Sequence, residues 1–460
     1  MKWSFTLYHL LILIELFSCK ILFVFEMFRH GTRSPLLGKN MYKTEYEDIF
    51  HVKWKENGKL TSMGLRMQYI LGMRNRMKYA DLIDSIVDPR EINVVSTVTS
   101  RSIASAQAHL MGMFPPKSGG FIDESEKENS NPPIPIDEEL GREIQKLGIE
   151  ALPNKIQTIP ISYFELKEIF TILVNKELCP KVEEYRKKNR KHQSLMDFYT
   201  KVNKTYGVQL MKFFNKNSTD FIFDYRTIFE ISDNFVTAYE SKKNLSNFES
   251  FGIDLKMFNE FAKEMRTLFL LYTENTEELS PLSVSYTLPK VINWMQKRIE
   301  SDKQKDTKIR YDEPKIVIYS GHDSTLSPFQ LFFKKVFNTS LIYPNFGANL
   351  FLELHKNDSS GDYYVEYLFN GETMLKIPFE EFKKNIMNNI WDESTIREKC
   401  FNSKFNSTFF IIAGVITIVI ILIGCYSICS LKKAVNQKKK EFEKEKGEEM
   451  IVSSTEEKEN

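Results

Sequence analysis

Arg29-His30-Gly31-Thr32-Arg33-Ser34-Pro35 sets one histidine between two arginines, directly after the apolar run Ile21 to Phe28. A guanidinium is a planar fork of donors suited to phosphate oxygens. Histidine has an unperturbed pKa of ~6.5, so it is largely neutral, and nucleophilic, near neutral pH. A histidine among phosphate-binding arginines is therefore a proposal for attack on a phosphoryl group. Gly31 and Pro35 favour a tight loop leaving a strand, where backbone amides can also face an anion. A solvated basic loop is the plainer reading of the same residues, and the rest of the chain decides between the two.

Two further strand ends carry matching chemistry. Ile92 to Thr97 reads as a short buried strand, followed by Ser100-Arg101-Ser102 and a small-residue helix from Ile103 to Leu110. Ile316 to Tyr319 is another apolar strand, ending at Ser320-Gly321-His322-Asp323-Ser324-Thr325. Alternating strand and helix signals favour an α/β unit with a parallel sheet, in which ligands bind beyond the carboxyl ends of the strands. Asn349 to Leu354 and Tyr363 to Leu368 read as a strand pair joined by a turn at 357–361. Together the three strand ends offer a nucleophile, cations for the non-bridging oxygens, and a carboxyl group to protonate a leaving alcohol.

Other elements must position these residues. After Leu60, Thr61 is the expected N-cap of a helix. Met63, Met67, Ile70, Met73 and Met77 recur at steps of three and four and are expected to face the core. Residues 119–133 read as a polar surface loop. Residues 137–302 are helical in pattern and read as an insertion beside the sheet, leaving an α/β core of about 20–136 and 303–400.

The chain resembles the histidine acid phosphatase family. The likeness rests on Arg29 to Pro35, Leu60-Thr-Ser-Met-Gly64, Ser96 to Arg101 with Ser105-Ala-Gln107 and Met113-Phe-Pro-Pro116, and Ser320 to Thr325, which occur in the family's order. The resemblance implies a phosphoglycerate mutase-like fold, a mainly parallel sheet flanked by helices. It implies His30 as the nucleophile that becomes phosphohistidine, Arg29, Arg33, Arg101 and His322 as phosphate ligands, and Asp323 as proton donor. The implied activity is metal-independent hydrolysis of small phosphate monoesters without a cofactor, and no Cys/His cluster at metal-ligand spacing is present. The arginines would keep His30 neutral in acid, and a bound phosphoryl dianion would raise the pKa of Asp323. An inositol-polyphosphate phosphatase shares the Arg-His-Gly-x-Arg loop and is the alternative. A catalytically silent receptor on the same fold is a further one, although all six site positions are filled.

The ends of the chain bear on location. Lys2, the apolar run Phe5 to Phe17 and Ser18-Cys19 read as a signal peptide, residues 1–19. Phe409 to Ile428 carries no charge and is long enough to span a bilayer. It gives an expected transmembrane helix at 409–429, with the lysines at 432, 433 and 438–440 placing a tail, 430–460, in the cytoplasm. The tail's charge run reads as solvated, disordered or weakly helical. Segment 20–404 is then lumenal or extracellular, in a type I protein of a lysosomal or phagosomal membrane or the cell surface.

Asn203, Asn217, Asn244, Asn338, Asn357 and Asn406 head glycosylation sequons between the two hydrophobic ends. Cys179 and Cys400 remain as the cysteines of segment 20–404, either as one long-range disulfide or as two buried thiols. They look like one of the long-range pairs of the lysosomal type of the family, whose other disulfides are absent here. The net charge of +2 gives no global case for nucleic-acid binding, and a homodimer is compatible with the sequence.

Overall fold

The computed structural model describes residues 19–36, 57–164, 178–213, 225–270, 277–308, 310, 312–401 and 403–456. Residues 1–18 of the expected signal peptide and the sequon at Asn217 lie outside these residues. The described residues fall into two compact units, divided between Ile396 and Arg397.

The first unit is built on a seven-stranded sheet in the order β3-β2-β4-β1-β5-β6-β7. The strands are β1 (Cys19–Arg29), β2 (Ile92–Ser96), β3 (Ser162–Tyr163), β4 (Ile316–Gly321), β5 (Asn349–Asn357), β6 (Tyr363–Phe369) and β7 (Glu372–Pro378). β3, β2, β4 and β1 pair in parallel, whereas β5, β6 and β7 extend the sheet in antiparallel fashion. The sheet is thus mixed rather than mainly parallel. The hairpin turn at 357–361 forces β5 and β6 antiparallel, and β5 docks on β1 in the same sense. β3, two residues long, is a strand within the segment read as mostly helical.

The helices that bear on the site are α1 (Ser62–Lys78), α2 (Ser100–Met113), α3 (Tyr225–Glu240), α4 (Leu255–Phe269), α5 (Thr287–Gln304) and α6 (Asp323–Phe337). β1 is covered on both faces, which is why it reads as a near-continuous apolar run. Phe23, Phe25 and Met27 pack with residues of α5 and α6, among them Val291, Met295, Phe329 and Phe333. Val24 and Phe28 pack on the other face with Leu110 and Met113 of α2. α5 therefore belongs to the α/β core, although its sequence lies within the expected insertion. A separate apolar cluster, including Phe198, Tyr206, Phe235, Phe258 and Met265, holds the insertion helices together.

The methionine stripe of α1 is on the wrong side of the expectation. Met63, Ile70, Met73 and Met77 are exposed, Met77 to 79%, while Gly64, Gln68, Gly72 and Asn75 are buried. The reason is the spacing of the backbones. A Cβ on Gly72 would strike the His109 carbonyl, and one on Gly112 the Tyr69 carbonyl, so α1 and α2 meet on their glycine faces. The buried polar side chains of α1 serve the sheet. Asn75 Nδ2 donates to Glu26 Oε2 at 2.6 Å, and Glu26 also lies 3.3 Å from His109 Nε2. These contacts serve Oε2 of the one carboxylate in the middle of β1, while its Oε1 is buried without a partner among the described residues.

The second unit contains the helix Ser403–Glu456. Its segment Gly414–Lys440 is long and apolar enough to cross a membrane, with a mean hydropathy of 2.4 over its most apolar window. The expected span begins a few residues earlier. Helix continues through the charged tail to Glu456, where the sequence reads as disordered or weakly helical.

Candidate active site

β1, β2 and β4 end side by side, with Arg29 opposite Gly321 and Ser96 opposite Ser320. The ladder continues past their ends: the His30 amide donates to the Gly321 carbonyl at 2.9 Å, and the Thr97 amide to the Ser320 carbonyl at 3.1 Å. Parallel pairing in this register brings the three predicted strand ends to one place. α2 starts at Ser100 and α6 at Asp323, so two helix N-termini open at the same cluster, adding partial positive charge.

The histidine loop is set by close backbone packing. A Cβ on Gly31 would fall on the Gly64 carbonyl, and one on Gly64 on the Thr32 carbonyl. Gln68 Nε2 donates to the Arg29 carbonyl at 2.8 Å, and the Gly31 amide donates to Ser105 Oγ at 3.2 Å. The matched stretches around Gly64 and Ser105 are therefore the supports of the loop.

His30 is buried, and its Nδ1 lies 2.8 Å from the Gly31 carbonyl oxygen. A carbonyl can only accept, so Nδ1 carries the proton and Nε2 holds the free lone pair. Burial pushes the imidazole well below its ordinary pKa, and His322, Arg29, Arg33 and Arg101 push the same way. His30 is held toward the neutral imidazole in a cationic surrounding, the form in which a histidine can act as a nucleophile. The rings of His30 and His322 stand 5.3 Å apart. Burial, then Arg101, pushes His322 down to about 3. Its Nε2 lies 3.1 Å from Thr97 Oγ1 and its Nδ1 3.5 Å from Arg101 Nη2.

The cations are individually anchored. Arg29 Nη1 donates to the Pro344 carbonyl at 2.8 Å, and its guanidinium lies 4.1 Å from the centre of the Phe346 ring. Arg33 Nη2 donates to both carboxylate oxygens of Asp233, at 3.0 and 3.1 Å. Burial pushes Arg101 down to about 10, so it stays charged in acid and at neutrality. Buried Nε atoms of Arg29, Arg33 and Arg101, with Thr32 Oγ1, have no hydrogen-bond partner among the described residues. Each such group costs ~1–3 kcal/mol.

Asp323 is 22% exposed and pairs with Arg29 Nη2 at 3.0 Å and Arg266 Nη2 at 3.1 Å. Burial pushes its carboxyl up, but Arg29 and Arg266 outweigh burial and hold it far below the usual carboxylate range. Asp323 is thus ionised in the free protein.

All six predicted residues, His30, Asp323, Arg29, Arg33, Arg101 and His322, belong to this cluster. Sequence reasoning missed Asp233 on α3, Arg266 on α4, and Tyr343 and Phe346 on the loop before β5. Arg266 Nη2 also lies 3.2 Å from Asp233 Oδ1. None of the four stands in a motif; an Asp and an Arg in amphipathic helices carry no local signal that they turn inward.

The remaining predicted positions lie elsewhere. Cys179 and Cys400 are each disulfide-bonded, whereas Cys19, Cys425 and Cys429 are free. Asn203, Asn244 and Asn338 are exposed, and Asn357 is half-buried with its Oδ1 accepting from the Ser359 and Ser360 amides. Asn406 lies in the helix Ser403–Glu456.

The family model described as histidine phosphatase superfamily (branch 2) matches residues 20–370. The chain belongs to this family. It is 22% identical over 360 residues to the prostatic acid phosphatase of Bos taurus, covering 76% of this chain and 77% of that protein. It is 25% identical over 358 residues to the lysosomal acid phosphatase of Xenopus laevis, covering 77% and 71%. Among solved structures, the phytase of Citrobacter braakii superposes with a TM-score of 0.52 at 12% identity, covering 81% of this chain and 98% of that one. At that identity the superposition speaks for the fold alone.

Proposed function

We propose that this protein is a membrane-anchored acid phosphatase that hydrolyses small phosphate monoesters through a phosphohistidine on His30, with Asp323 as proton donor. The observation that carries the reading is the state of His30: a neutral imidazole whose Nδ1–H is tied to a carbonyl, whose Nε2 is free, and which lies among arginines. Arg29, Arg33, Arg101 and His322 bind the three free oxygens of the phosphoryl group and stabilise the charge that spreads over them. Attack by Nε2 displaces the alcohol, and water then hydrolyses the phosphohistidine. No step requires a metal or cofactor.

The charges of the site favour a single phosphate over an inositol polyphosphate. Arg29, Arg33, Arg101 and Arg266 face Asp233 and Asp323, an excess of two positive charges, which matches one phosphoryl dianion. The insertion contributes carboxylates along with its arginine, including Glu240, whose carboxyl is pushed up by burial. A ring bearing many phosphates needs cations beyond this balance.

The apolar segment within Ser403–Glu456 and the lysines after it support a type I topology, with the catalytic unit in the lumen of a lysosomal or phagosomal compartment or at the cell surface. Signal-peptide cleavage, glycosylation at the sequons and a Cys179–Cys400 disulfide accord with that location. The test is a pH–rate profile of the purified protein on a panel of simple monoesters and phytate. Acid hydrolysis of simple monoesters is expected; preference for phytate would favour the inositol-polyphosphate reading, and inactivity on all substrates would favour the silent receptor.

A further inference from the structure

Asp323 is surrounded by charged and titratable groups from every side. Arg29 and Arg33 come from β1 and its loop, Arg101 from α2, His322 from the preceding residue, and Tyr343 from the loop before β5. Arg266 comes from α4 and Asp233 from α3, with Glu240 acting on Arg266. Of these, Arg266 alone both touches the Asp323 carboxylate and lies outside the strand-end motifs. Its side chain is 1% exposed, and its guanidinium lies 5.2 Å from the centre of the Tyr343 ring. Asp233 holds Arg266 at 3.2 Å and Arg33 at 3.0 Å. An unbroken chain of ion pairs therefore runs Arg33–Asp233–Arg266–Asp323–Arg29.

This chain raises a problem of proton supply. The leaving alcohol needs a proton from Asp323, yet two arginines stabilise Asp323 as a carboxylate. A phosphate monoester has a second pKa of ~6, so in acid it arrives as a monoanion carrying a proton of its own. We propose that Arg266, held by Asp233, is a positioning residue that keeps Asp323 ionised in the free site, so that the proton given to the leaving alcohol enters with the substrate monoanion. The proposal rests on the phosphatase reading above.

The steps balance. The monoanion passes its proton to Asp323 as its oxygens take up Arg29, Arg33 and Arg101. The lone pair of His30 Nε2 forms the N–P bond, the ester P–O bond breaks, and the departing oxygen takes the proton from Asp323 to leave as the alcohol. Water then attacks phosphorus, Asp323 accepts a water proton, and the N–P bond breaks. Phosphate departs as the monoanion with that proton, restoring neutral His30 and ionised Asp323. The acid optimum then has its origin in the substrate's protonation.

The experiment is the alkaline limb of kcat/KM against pH, read on the full chain in detergent. In the wild type the limb should move to lower pH when an alkyl phosphate is replaced by p-nitrophenyl phosphate, whose ring lowers its second pKa. In Arg266→Gln the alkaline limb should stay where the substrate sets it, while the acid limb should move up, because Asp323 then takes a proton from solvent more readily; Arg266→Lys should restore the wild-type profile. A wild-type limb that ignores the substrate overturns the proposal. So does Arg266→Gln activity that falls by one factor at every pH. The substrate comparison needs no variant, so it decides even if Arg266→Gln fails to fold. A wild type inactive on every monoester would instead overturn the phosphatase reading.

Discussion

Arg29 Nη2 and Asp323 Oδ2 lie 3.0 Å apart. The arginine beside the proposed nucleophile thus holds the carboxylate of the proposed proton donor, which on the phosphatase reading makes phosphate binding and release of the acid one event. As phosphoryl oxygens take up Arg29, its hold on Asp323 weakens and the incoming negative charge raises the carboxyl pKa.

Asp323→Ala separates the acid from the rest of the site. Alkyl phosphates should lose far more activity than aryl phosphates, whose leaving oxygens need little protonation. Equal losses in kcat on both substrates would remove Asp323 from the role of proton donor.

The pH profile on the acid side follows from His30. The neutral imidazole is the attacking form, and it persists down to a pKa well below the ordinary value because of burial and the surrounding cations. His322 likewise stays neutral until about 3. The acid limb of kcat/KM should therefore lie well below the ~6.5 of a free histidine; a limb at that value would mean that His30 is not held as the structure has it.

Asp233→Ala tests the buried ion-pair chain. It leaves Arg33 and Arg266 without their shared partner, and breaking a buried pair costs ~3–5 kcal/mol. Inorganic phosphate should raise the melting temperature of this variant more than that of the wild type, because an anion then replaces the missing carboxylate. The sign with pH follows from the lowered pKa of Asp233, where Arg33 and Arg266 outweigh burial. Its stabilisation is present in full above the unfolded value of ~3.9 and is lost as pH falls through the lower folded value. An unchanged melting temperature would show that the pair contributes nothing.

Gly64→Ala places a methyl group against the Thr32 carbonyl in the histidine loop. The expected cost is ~1–3 kcal/mol of stability, with a fall in kcat because the loop carrying His30 and Arg33 must shift. Wild-type melting and kcat together would show that the contact between loop and α1 does not position the nucleophile.

The site was legible because three short apolar strands each end in residues whose chemistry is local: Arg-His-Gly-x-Arg, Arg101 and His322-Asp323. What pairing adds is convergence, and the parallel register of β1, β2 and β4 supplies it. Periodicity failed on most of α1, where Gly64 and Gly72 decide the buried face through backbone approach and Met63, Met73 and Met77 are left outside while Met67 is half-buried. It gave no specific signal for β3, whose two residues are held at the sheet edge by tertiary pairing. Asp233 and Arg266 were hidden for a different reason: their function exists only in the contact between helices and strand ends, and no spacing within either helix encodes it.

The central claim is a covalent bond to His30, and rapid acid-free quenching during turnover of a ³²P-labelled monoester, followed by peptide mapping, tests it directly. The account predicts label on the peptide containing His30, stable in alkali and released by acid, and none in His30→Ala. Label on another residue, or phosphate release surviving in His30→Ala, would contradict it.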